Sequence, residues 1–134
     1  MYKMTQWAVG LILFLSSFFA CQMQNGDFKS LNVEDFESYI QNDAVQRLDV
    51  RTPAEYSEGH IPKAININVL DNSFASMVGV LLTQERPVAV YCRSGKRSRR
   101  AAKILLSKGF QVIELAKGFN SWKSAGKSVE RCSP

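Results

Sequence analysis

What this chain has little of narrows it first. Its 134 residues include three cysteines, Cys21, Cys92 and Cys132, and a single histidine, His60. The cysteines stand far apart. No Cys-x-x-Cys or Cys/His pair has zinc-site spacing, which excludes a structural metal and leaves no residue to assign as a metal ligand. There are no internal repeats and no low-complexity tract. The basic residues are not interleaved with aromatics, which argues against a single-strand nucleic-acid groove. Only one stretch, Trp7 to Ala20 (WAVGLILFLSSFFA), is a long apolar run, and it is short for a membrane span.

That run follows a positive residue, Lys3, and fits the apolar core of a signal peptide. It ends in Ser16-Ser17-Phe18-Phe19-Ala20-Cys21, where a small residue precedes a cysteine. This ending resembles the lipobox of bacterial lipoproteins, in which the cysteine is lipidated and becomes the mature N-terminus. Phe18 and Phe19 depart from the usual aliphatic and small residues. The expected organisation is a leader over 1–20 with cleavage before Cys21, a polar tether over 21–27 and one domain over 28–134. The domain is then exported and held by lipid to the membrane on the periplasmic side, with ordinary secretion, an uncleaved anchor or a buried helix as the alternatives. One lysine and no acid leave with the leader, so 16 basic residues face 12 acidic ones. That is too mild a surplus to imply a nucleic-acid partner, but its local distribution is uneven.

The domain reads as alternating elements. Asn32 to Ile40 has helical periodicity with Asn32 as N-cap. Val45 to Val50 reads as a strand. Thr52-Pro53-Ala54-Glu55 opens a short helix with a capping box, and Gly59 ends it. Ala64 to Val69 is a strand, Ser73 to Leu82 a helix and Val88 to Tyr91 a strand. Ser98 is expected to cap a helix that carries Ala101, Ala102, Leu105 and Leu106 on one face and stops at Gly109. Gln111 to Leu115 is the last strand, and Gly118 to Trp122 begins a final helix. Strands alternating with helices imply an α/β fold in three layers, with a mainly parallel central sheet and helices on both faces. In such sheets the ligand site lies beyond the carboxyl ends of the strands.

Cys92 falls at that place. It follows the apolar run Val88-Ala89-Val90-Tyr91 and precedes the turn Arg93-Ser94-Gly95-Lys96-Arg97. Five of the eight residues from Arg93 to Arg100 are Arg or Lys. A sulfur between a strand end and a helix N-terminus meets backbone N–H groups and positive potential, which favours its thiolate. Two chemistries use such a loop. Phosphatases of the Cys-x5-Arg type need an arginine six positions after the cysteine, where this chain has Ser98. A smaller cradle suits a terminal sulfur atom, which the thiolate attacks to form a persulfide. Cys132, near the end of the chain, is expected to be a frayed free thiol, or else to resolve an oxidised Cys92.

Tyr91 to Ser98 (YCRSGKRS) resembles the active-site loop of the rhodanese family. Leu48 to Tyr56 (LDVRTPAEY) and Gly59 to Ile67 (GHIPKAINI) are similar to that family's upstream segments. Gly118 to Trp122 and Ala125 to Val129 are similar to its ending, with Lys63, Lys117 and Ser128 as departures. The resemblance implies a rhodanese-like three-layer fold and a sulfurtransferase that moves sulfane sulfur from a donor such as thiosulfate to cyanide or a thiol. It implies Cys92 as the catalytic persulfide carrier. Arg93, Ser94, Gly95, Lys96, Arg97 and Ser98 would bind substrate, with Arg97 closing the cradle, and Asp49 and Arg51 would brace the loop. No cofactor is implied. The partners expected are a small sulfur-containing anion or thiol and a thioredoxin-like reductase that keeps Cys92 reduced. Two other readings stay open: a persulfide carrier or anion-binding module without turnover, and a phosphatase or arsenate reductase. His60 is read as structural, since a stable thiolate needs no general base. Trp122 and Phe119 are read as core.

Overall fold

Ten short elements alternate along residues 27–133, the part of the chain that the computed structural model describes. The leader, Cys21 and the tether up to residue 26 lie outside the described residues. The elements are β1 (Lys29–Leu31), α1 (Val33–Ile40), β2 (Gln46–Asp49), α2 (Pro53–Glu58), β3 (Ile65–Asn66), α3 (Phe74–Leu81), β4 (Val88–Tyr91), α4 (Lys96–Ser107), β5 (Val112–Leu115) and α5 (Gly118–Ser124). The strands form one five-stranded sheet in the order β1-β5-β4-β2-β3, and every pairing is parallel. No helix among the described residues is long and apolar enough to cross a membrane.

Side chains on successive strand residues point to opposite faces, and β4 shows how this divides the core. Val88 and Val90 join Leu48 and Val50 against Phe74 and Val78 of α3 and Ala101, Ala102 and Leu105 of α4. Ala89 and Tyr91 face the other way, among Phe36 and Ile40 of α1 and Phe119 and Trp122 of α5. All four residues of β4 are buried. Burying a valine fully contributes about 1.5–3 kcal/mol, so this central strand is a fixed platform for whatever follows it. Cys92 is the next residue and belongs to the face covered by α3 and α4.

Local chemistry explains the element boundaries. The Asn32 side chain accepts from the Asp35 N–H at 2.8 Å and starts α1. Thr52 and Glu55 form the reciprocal capping box of α2, with Pro53 in its first turn and Gly59 as C-cap. Gly109, at φ 88°, adopts the left-handed conformation that ends α4.

Two expectations need correction, and one strand is an addition. The cap of α4 is Gly95, at φ 117°, and the helix starts at Lys96. Ser98 therefore lies inside the first turn, with its hydroxyl turned inward. The strand expected over 64–69 is reduced to Ile65–Asn66, because the next contacts, Ile67 N–H to Asp49 O and Val69 N–H to Val50 O, fall outside a regular ladder. The strand β1 had no counterpart in the sequence reading.

Candidate active site

The site is assembled where β4 ends. The backbone turns through Arg93-Ser94-Gly95 and enters α4 at once, so the N-terminus of a twelve-residue helix faces the sulfur of Cys92. The Gly95 N–H donates to Cys92 Sγ at 3.0 Å. The thiol itself donates to the Ser98 hydroxyl at 3.4 Å. Cys92 is buried, while Arg93, Ser94 and Lys96 are exposed.

The carbonyl side of the loop is held by a second helix. The Phe119 N–H donates to Cys92 O at 2.8 Å and the Asn120 N–H to Arg93 O at 3.1 Å. The first residue of α5 must pass very close to the loop. A Cβ on Gly118, which sits at φ 63°, would lie 2.5 Å from the Arg93 carbonyl. Gly95 is equally constrained, since a Cβ there would lie 2.6 Å from Ala116 O. Each glycine is required both for its positive φ and for this close approach.

Below the loop, Asp49 and Arg51 form a buried unit. Asp49 accepts from the Arg51 backbone N–H at 2.9 Å and from Arg51 Nη2 at 2.6 Å. It also accepts from the Tyr91 hydroxyl at 2.7 Å. The same Tyr91 hydroxyl oxygen in turn accepts from the Ile61 N–H at 3.0 Å, so one carboxylate ties the end of β4 to the segment after α2. Burial raises the Tyr91 pKa strongly, and the Asp49 carboxylate adds to it. Burial works to lower the Arg51 pKa, but hydrogen bonding and attraction to Asp49 outweigh it, and the guanidinium ends above its ordinary value. Arg51 also donates to Gly59 O at 2.7 Å and stacks over the Phe119 ring at 4.3 Å.

Arg97, expected to close over the cysteine, instead turns to α2. It makes a bidentate pair with Glu55 at 2.7 and 2.9 Å. The two Arg97 hydrogen bonds hold the Glu55 carboxyl down to about 2, helped by the Thr52 N–H and hydroxyl and opposed by partial burial. Glu55 thus serves the capping box and clamps α2 to α4 in one contact. Arg51 does not pair with Glu55.

An open cleft of ≈ 620 Å³ lies beside the loop, lined among others by Arg51, Gly59, Arg93, Phe119, Lys123 and Cys132. Cys132 is exposed, but its backbone is not frayed, because its N–H donates to Ser57 O at 3.2 Å. His60 is engaged elsewhere. Its ring stacks on Tyr56 at 3.7 Å, Nδ1 lies 2.8 Å from Tyr56 O, and its backbone bridges to Glu130. Phe119 and Trp122 are buried, and Phe119 also forms part of the cleft.

Sequence reasoning missed one buried group at the site. Glu114, from the middle of β5, is wholly inaccessible. Its Oε2 accepts from the Ser98 hydroxyl at 2.5 Å and its Oε1 from the Ser30 hydroxyl of β1 at 2.6 Å. The available signal was an acid inside the apolar strand Val112-Ile113-Glu114-Leu115.

A family model described as "Rhodanese-like domain" matches residues 32–125. The chain is 33% identical to the thiosulfate sulfurtransferase GlpE of Shewanella oneidensis, over 73% of this chain and 95% of that protein. It is also 33% identical to a sulfurtransferase of Allochromatium vinosum, over 74% of this chain and 94% of that protein. Among solved structures, a rhodanese-related protein from Thermoplasma volcanium superposes with a TM-score of 0.67 at 31% identity, covering 76% of this chain and 97% of that one.

Proposed function

Because the chain belongs to the rhodanese-like domain family, we propose that it is a sulfurtransferase that carries sulfane sulfur on Cys92. The supporting observation is the geometry at one sulfur: Cys92 Sγ takes the Gly95 N–H at 3.0 Å at the mouth of α4. Its neighbour Arg93 opens onto a cleft with Lys123 on its wall.

In the first half-reaction the Cys92 thiolate attacks the outer sulfur of a donor such as thiosulfate. A new S–S bond forms, the donor's S–S bond breaks, and sulfite leaves with the electron pair. The loop N–H and the helix N-terminus stabilise the charge on sulfur without reorganising. Arg93, Ser94 and Lys96 stand exposed where an anionic donor arrives, and Gly95 and Ser98 hold the sulfur from within. In the second half-reaction an acceptor takes the outer sulfur and Cys92 leaves as thiolate. Asp49 and Arg51 act through Tyr91 and keep the end of β4 in place.

Loading is tested by the intact mass of the full chain after thiosulfate, for wild type and Cys92→Ser, followed by cyanide. The expected result is one added sulfur in the wild type alone, removed as thiocyanate. No gain from a reduced thiol with any sulfane-sulfur donor overturns the proposal. Loading without discharge to cyanide or small thiols favours the second reading, a persulfide carrier for a partner protein. Phosphatase or arsenate reductase chemistry is disfavoured, because Ser98 stands where an arginine is needed and points into the core. We further propose lipidation at Cys21, a periplasmic location and a thioredoxin-like reductase as partner. Metabolic labelling with a fatty-acid analogue tests the first, fractionation the second and trapping of mixed disulfides the third.

A further inference from the structure

Four side chains form a continuous line from the thiol, along one face of the sheet, to the edge strand β1. Cys92 Sγ donates to Ser98 Oγ at 3.4 Å, Ser98 Oγ donates to Glu114 Oε2 at 2.5 Å, and Ser30 Oγ donates to Glu114 Oε1 at 2.6 Å. Cys92, Ser98 and Glu114 are buried, and Ser30 is exposed on the edge strand β1. The Ser98 hydroxyl has two acceptors in reach, the second being Gly95 O at 3.0 Å. Its single proton makes it a reversible link.

The line has two complete hydrogen-bonded states. In one, the thiol donates to Ser98, and Ser98 donates to the Glu114 carboxylate. In the other, the Glu114 carboxylic acid donates to Ser98, and Ser98 donates to the Cys92 thiolate, which also keeps the Gly95 N–H. Each state carries one negative charge in the buried region, and no group loses its partner. A thiolate and a carboxylate together would place two like charges side by side in the core. The charged groups nearby are paired with other acids, Arg97 with Glu55 and Arg51 with Asp49, although the charge of Arg97 also reaches Cys92 from the cleft side. Arg99 of α4 lies against Gly95, on the loop side of the line.

We infer that Glu114 is the proton acceptor for Cys92, acting through Ser98, with Ser30 as the outlet to solvent. The S–H bond breaks as a bond forms to Ser98 Oγ, and the Ser98 proton passes to Glu114 Oε2. The proton then leaves or returns through Ser30, away from the cleft in which substrates exchange. Glu114 is thus a positioning and proton-holding residue. The inference rests on Cys92 as the reactive sulfur, but not on thiosulfate as its donor.

The test uses the purified full chain and two readouts. The first is the infrared difference spectrum on loading sulfur onto Cys92. A protonated-carboxyl band should appear in the wild type, because the persulfide anion leaves the shared proton on Glu114. The band should be absent in Glu114→Gln and in Ser98→Ala. The second is the pH profile of alkylation by iodoacetamide, followed at the Cys92 peptide. The wild type should react in two steps, a plateau and then a further rise, as expected of coupled sites, and Glu114→Gln should react in one. Alkylation needs no sulfur transfer, so the two-step profile separates this inference from the sulfurtransferase reading. A single step at the same pH in wild type and Glu114→Gln overturns it. So does a carboxyl band that survives in Ser98→Ala. If Glu114→Gln does not fold, the wild-type profile and Ser98→Ala decide the matter alone.

Discussion

The two buried carboxylates, Asp49 and Glu114, lie on either side of β4 and are equally inaccessible, yet they are held in opposite ways. Asp49 faces a guanidinium at 2.6 Å. Glu114 faces two hydroxyls, and no cation pairs with it among the described residues. A buried acid paired with arginine is a brace, because separating the charges is costly. One held only by hydroxyls keeps its lone pairs satisfied but remains open to taking a proton. Structure and chemistry have been assigned to different carboxylates, and the partner reveals which is which.

The largest expected effect breaks the brace. Asp49→Ala leaves Arg51 buried without its counter-charge and frees the Tyr91 hydroxyl. It should lower unfolding free energy by about 3–5 kcal/mol in urea titrations. A loss below about 1 kcal/mol would mean the pair is not structural. Glu114→Gln keeps a side chain of the same shape between the same hydroxyls, so its stability change should stay within about 1.5 kcal/mol while the thiol chemistry changes. A loss as large as that of Asp49→Ala would erase the contrast.

The half-exposed Glu55–Arg97 pair is an intermediate case. The folded Glu55 carboxyl sits at about 2 against 4.5 in the unfolded chain. A depressed acid stabilises the fold above its unfolded value, and that stability is lost as pH falls towards the folded value. Glu55→Gln should therefore cost about 1–2 kcal/mol near neutral pH after solvent screening, and this difference should vanish by pH of about 2. A difference that is flat with pH would place the stabilisation in packing instead. The smallest effect belongs to Lys127, which pairs with Glu34 and Glu37 at 3.0 Å on the surface. Lys127→Ala should shift the unfolding midpoint by no measurable amount in physiological salt.

Local chemistry was legible in the sequence. The capping box of Thr52 and Glu55, the Asn32 cap and the left-handed Gly109 depend on neighbours a few residues apart. The loop around Cys92 was legible because a strand, a cysteine and a basic turn adjoin. Contacts made by folding were not. Arg97 finds Glu55 across 42 residues, and Ser30 finds Glu114 across 84. β1 is three residues of mixed character, and it is a strand only because β5 offers it an edge. Ser98 looked like a cap because serine usually is one. The glycine before the helix took that role and left the serine free to point inward.

That thin edge strand has a kinetic consequence. β1 joins the sheet across the longest sequence separation of any strand pair, from Lys29–Leu31 to Ile113–Leu115, and it brings few buried residues to the pairing. Such an element closes late in folding and opens early in native-state fluctuations. Amide exchange should therefore be fastest along β1 among the strands. Each such opening would wet Glu114 from behind while the loop at Cys92 stays folded. The interior of this protein is then sealed unequally: firmly at the sulfur, and only by three residues at its back.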